Sequence, residues 1–125
     1  MNLNIGNTKI VSLLNRVHAD FAAVVSGDSI FVFGGKDGTI SGMTSCERYD
    51  PYLSVLFKNL TIKGKREYGW HFRWMLLPDM PTGRSSSGAI HIPESGVLVL
   101  GGWKYDPSFE LLRTAELYAI RKKEQ

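Results

Sequence analysis

A chain of 125 residues, 43% hydrophobic and 22% charged, is one small domain or part of a larger one. That composition excludes a wholly disordered chain, a collagen-like fibre and a coiled coil. The formal net charge is a modest +3, and the single cysteine, Cys46, permits no disulfide within the chain, which suits a reducing compartment.

In chain order, Met1-Asn2-Leu3-Asn4-Ile5-Gly6 lacks the basic start and apolar core of a secretory signal. The longest apolar runs, such as Gly96 to Leu100, are too short to span a bilayer. The chain is therefore read as soluble, intracellular and cytoplasmic. Residues 1–15 form an N-terminal segment in which Lys9 to Leu14 is a candidate strand of a preceding unit. Runs of Val, Ile and Phe closed by Gly, Asp or Pro then predict strands over 20–26, 29–35, 44–50, 72–77, 86–92, 96–102 and 114–120. These runs are apolar on both faces, as strands buried between packed sheets are. Glu110-Leu111-Leu112-Arg113 reads as loop.

Between the third and fourth strands, Lys58, Lys63, Lys65, Arg66 and Arg73 stand against Glu67 alone. Tyr68, Trp70, Phe72 and Trp74 are interleaved with the last of these charges. Such a mixture suits stacking on single-stranded nucleic acid, anionic lipid or an acidic partner. The preferred reading is a solvated loop whose last residues enter the fourth strand.

The chain repeats itself. Phe21 to Val25, a turn at Gly27-Asp28, Ile30 to Phe33 and Gly34-Gly35 are matched by Ser87 to Ile92, a turn at Ser95-Gly96, Val97 to Leu100 and Gly101-Gly102. A polar loop follows each pair of glycines, then Cys46-Glu47-Arg48-Tyr49 and Ala115-Glu116-Leu117-Tyr118. An arginine precedes each first strand, Arg16 and Arg84. The double glycines are 67 residues apart and the two glutamates 69.

On these residues the chain resembles the kelch repeat. The features are Arg16, Gly34, Gly35, Glu47, Tyr49 and Trp74 in the first copy, and Arg84, Gly101, Gly102, Glu116 and Tyr118 in the second. The resemblance implies an all-β chain of four-stranded antiparallel blades from a β-propeller, one complete and most of a second. It places the first repeat over 16–83, with a basic insert at 52–71, a truncated second repeat over 84–120 and a tail at 121–125. The chain is then a fragment, a short isoform or a decayed copy. Two blades leave outer faces bare, and the isolated chain is expected to be marginally stable unless it pairs with other copies or belongs to a longer protein.

Glycines at the strand ends allow close backbone approach and positive φ. A carboxylate inside an apolar strand must be paired, so Glu47 is expected to pair with Arg16 and Glu116 with Arg84. An acid/base role for these pairs is the weaker reading, because they recur with the repeat. Cys46 reads as a buried, inert thiol. His18, His71 and His91 show no metal-ligand spacing, and no phosphate-binding or nucleophile motif is present. No catalytic residue, metal or cofactor is expected.

Function is expected in the loops at one end of the blades. The named positions are Lys36, Asp37, Arg84, Ser85, Trp103, Lys104, Tyr105 and Phe109, with Trp103 either facing a partner or tucked onto its own blade. The expected partner is a protein rather than nucleic acid or membrane. By resemblance, the module is part of a substrate-recruiting adaptor of a cullin–RING ubiquitin ligase. That role requires a BTB domain in a longer parent chain. The alternatives are an actin-binding kelch protein and a piece of an enzymatic propeller, a sugar mutarotase or an oxidase.

Overall fold

Turn chemistry sets the first hairpin. Gly27, at φ +62°, reverses the chain between β1 (Ala22–Ser26) and β2 (Ser29–Phe33), which pair from Ala22↔Phe33 to Ser26↔Ser29. In the computed structural model, which describes residue 6 and residues 13–50, 74–105 and 108–120, β3 (Cys46–Tyr49) and β4 (Trp74–Leu77) extend this hairpin. The result is a four-stranded antiparallel sheet in the order β1-β2-β3-β4. β5 (Gly88–Ile92) and β6 (Gly96–Leu100) repeat the hairpin, and β9 (Ala115–Ala119) joins β6 to make a three-stranded sheet. Between them, β7 (Trp103–Tyr105) and β8 (Phe109–Leu111) form a separate two-stranded ribbon. Among the described residues there is no helix, and none long and apolar enough to cross a membrane.

The strands are shorter than the sequence predicts, for a physical reason. Gly34, Gly35, Gly101 and Gly102 all have φ between +65° and +99°, a left-handed conformation that ends a strand. The residues read as loop at 110–113 are partly strand: Phe109–Leu111 finds a partner in Trp103–Tyr105. Leu13 and Leu14, at the end of the candidate N-terminal strand, are not in a strand, and Lys9 to Ser12 lie outside the described residues. So does the whole basic insert, 52–71.

The core lies between the two larger sheets. Ala22, Phe31, Phe33 and Cys46 from the first meet Val97 and Val99 from the second, with Met80 closing the end. The Tyr118 ring sits 5.7 Å from Phe33 and 6.5 Å from Phe31, centroid to centroid. Each buried Phe, Val or Met side chain contributes about 1.5–3 kcal/mol by leaving water.

Cys46 is fully buried, and burial pushes its thiol up to about 12 from 9.0. The native thiol should therefore resist alkylation at pH 8 and react at once in guanidinium; equal rates in both conditions would show that the core is open. The same burial gives a pH dependence. Its contribution to stability is complete below pH 9.0 and is lost as pH rises towards 12, because the unfolded thiol ionises first.

Candidate functional site

Two residues at positive φ align the repeats: Asp20 and Ser86, both at +52°. They show that Arg84 corresponds to His18, not to Arg16. The turn Pro93-Glu94-Ser95 is one residue longer than Gly27-Asp28, which shifts the count. Arg84 Nη1 donates to the carbonyl of Gly101 at 2.9 Å and Nη2 lies 3.3 Å from Glu116 Oε1. His18 does both jobs in the first sheet. Nδ1 lies 2.6 Å from the carbonyl of Gly34 and Nε2 3.0 Å from Glu47 Oε2.

The expected side-chain pair of Arg16 with Glu47 is thus corrected. Arg16 contributes its backbone N–H, at 3.0 Å, while Asn15 donates from its backbone and its side chain. Glu47 is fully buried and satisfied by these four bonds. Glu116 lacks the equivalent donors because Pro81 stands where Asn15 does, and its Oε2 has no partner. The Arg84–Glu116 pair stands as expected. Tyr49 packs on Trp74, ring centroids 5.1 Å apart, within the first sheet, whereas Tyr118 packs between sheets.

The glycine pairs occupy crowded ground. A Cβ on Gly35 would sit 2.4 Å from the carbonyl oxygen of Ala19, and one on Gly102 2.4 Å from that of Ser85. Ala19 and Ser85 are equivalent by the alignment above. Gly34 also faces the carbonyl oxygen of Arg84 across the seam between the sheets.

The loops after the glycines meet at one end of the sheets. Tyr105 N donates to Ser41 O at 3.0 Å, Gly35 N to Arg84 O at 2.7 Å and Arg84 N to Met43 O at 3.1 Å. Ser85 Oγ receives Gly42 N at 2.9 Å and donates to Gly35 O at 2.8 Å. Here two named partner-binding positions are corrected. Arg84 and Ser85 are fully buried, and the Arg84 Nη atoms and Ser85 Oγ bond inside the chain, so they brace the loops from beneath.

What these braces hold is a cleft of about 430 Å³ lined by Thr39, Ile40, Ser41, Gly83, Lys104 and Tyr105, among others. The ribbon beside it is two-faced. Trp103, Tyr105, Phe109 and Leu111 share one side by register, and Lys104 and Glu110 pair at 3.6 Å on the other. Tyr105, Phe109, Leu111 and the neighbouring Ile40 are each more than half exposed. Trp103 is half-buried, its ring 5.7 Å from Phe109 and its indole N–H donating to Ser86 Oγ at 3.3 Å. It tucks onto its own blade. Lys36 pairs with Asp20 at 2.9 Å. Asp37 accepts from the backbone of Thr39 and Ile40, which holds its carboxyl below the ordinary value and fixes the loop's turn. Leu111 and Ile40 were not singled out by the sequence; the ribbon's register is the signal that adds Leu111.

The kelch motif matches residues 18–52, from His18 through the third strand. The chain carries a kelch repeat. Its all-β fold, with one four-stranded antiparallel sheet and a three-stranded one, is consistent with partial kelch propeller blades. The second sheet repeats the first in strand pairing, in its double glycine and in an acid on its third strand, with a turn one residue longer. No curated protein matches the chain. Kelch repeats in general mediate interactions between proteins, and the loop end is the part of this one that offers exposed aromatic side chains beside a cleft.

Proposed function

We propose that this kelch chain is a protein-binding module and that its loop end takes a segment of the partner. The observation that carries this is the exposed face of Tyr105, Phe109 and Leu111 next to the cleft floored by Ser41 and Gly83. Aromatic anchors beside a polar recess supply both contact area and hydrogen-bond selectivity. Binding rather than catalysis is favoured because Glu47 and Glu116 turn inward, to His18 and Arg84. The finer reading is a substrate-recruiting part of a cullin–RING ubiquitin ligase. Resemblance to kelch adaptors supports it, and the loop end would be its substrate surface.

The test is affinity capture from cell lysate with the parent chain and with Y105A/F109A, both residues being exposed. The parent is expected to recover ligase subunits or their substrates, and the variant to lose at least tenfold of that recovery with an unchanged thermal transition. Equal recovery by both would remove the loop end from the binding surface. Recovery of actin instead would replace the ligase reading.

A further inference from the structure

We infer that copies of this chain associate head to tail, the outer face of the second blade in one copy docking on the outer face of the first blade in the next. The interface inside the chain supplies the pattern. Its first side is the face of blade one carrying Ala22, Val24, Ser26, Phe31 and Phe33; its second is the face of blade two carrying Ala89, His91, Val97, Val99 and Tyr118. Each blade also has an opposite face, and the repeat makes those two opposite faces counterparts of the pair already joined.

On blade two the outer face carries Gly88, Ile90, Ile92, Leu98, Leu100 and Leu117, counterparts of Ala22, Val24, Ser26, Phe31, Phe33 and Arg48. Ile90 is 56% and Leu117 53% exposed, an apolar sheet face of the kind that marks an interaction site. On blade one the outer face carries Ala23, Val25, Ile30, Val32 and Tyr49, counterparts of Ala89, His91, Val97, Val99 and Tyr118; Ala23 and Val25 are exposed, Ile30 and Tyr49 half-buried, and Val32 is already buried within the chain. Four of those five positions keep the same kind of side chain.

The fifth identifies the occupant. Within the chain, Ser26 Oγ and His91 Nδ1 form a hydrogen bond across the seam at 2.7 Å. At the corresponding place between copies stand Ile92 and Val25, the latter 64% exposed. The polar pair has become an apolar pair on both sides at once, so the two free faces complement each other. Leu14 stands in the same way where Met80 closes the internal core. Such an interface is heterologous, so it propagates and closes only as a ring.

The experiment is sedimentation equilibrium on the full chain and two exposed-face variants, L117K and V25K. The parent's mass is expected to rise with concentration above 14.0 kDa, while each variant alone stays at 14.0 kDa. An equimolar mixture of the two should give a single dimer, because each variant retains the face the other has lost. Far-UV circular dichroism checks folding, and L117Q with V25T replaces any variant that loses its sheet signal. A parent that stays monomeric at every concentration overturns the inference. So does self-association of V25K alone, which indicates like-to-like pairing of the second blade, or a mixture that does not combine.

Discussion

Replacing Arg84 with methionine is expected to destabilise the chain by about 3–5 kcal/mol, because several acceptors lose their buried donor at once. The guanidinium is fully buried where the two blades meet and joins three residues of the second. It donates to the carbonyls of Gly101 and Thr114 at 2.9 and 2.8 Å, to Thr114 Oγ1 at 2.8 Å, and faces Glu116. Methionine fills similar volume but donates nothing, so two carbonyls and a carboxylate lose their partner together. Glu116→Gln should cost clearly less, because Glu116 is part-exposed and one of its oxygens is already unpaired. Denaturant unfolding of both variants measures the contrast. An Arg84→Met cost below about 1 kcal/mol would place the guanidinium in water rather than in the seam.

Gly34→Ala is expected to cost about 3 kcal/mol or more, and Gly101→Ala only about 1 kcal/mol, although the two glycines are repeat equivalents. Both sit in the left-handed region, at φ +65° and +68°, so both substitutions incur the same conformational strain. They differ in what lies beyond. A Cβ at Gly34 would come within 2.3 Å of the carbonyl oxygen of Arg84 in the next blade, whereas at Gly101 the nearest atom, Leu112 O, is 3.8 Å away. The clash exists only where a following blade is seated. Thermal unfolding of the two variants reads this directly: equal shifts in Tm would mean that Gly34 does not lie against a neighbouring blade.

That asymmetry also marks what the sequence makes legible. Runs such as Ser29–Phe33 and Gly96–Leu100 announce strands by β-branched and aromatic content, and paired glycines mark where they end. The paired glutamates are legible because an acid inside an apolar strand needs a partner. Which residue supplies that partner is not, because a single extra residue at Pro93-Glu94-Ser95 moves the count. Nothing in the sequence around His18 marks it as an acid's donor, because it stands where the second copy has an arginine. The ribbon of β7 and β8 was hidden for another reason. Its strands have three residues each, and Glu110-Leu111-Leu112-Arg113 carries no alternation until Trp103–Tyr105 is set opposite. Arg84 and Ser85 read as loop residues by position, and only the packing of two blades shows that they lie beneath the loops.

The packing of blade one on blade two underlies the buried Arg84, the contrast between the glycines and the exposed faces offered to a second copy. Nuclear Overhauser effects from the ring protons of Tyr118 test it most directly. Cross-peaks to the rings of Phe33 and Phe31 are expected, at centroid distances of 5.7 and 6.5 Å, alongside those to Val97 within its own sheet. Cross-peaks confined to Val97 and other residues of the second blade would contradict the face-to-face arrangement.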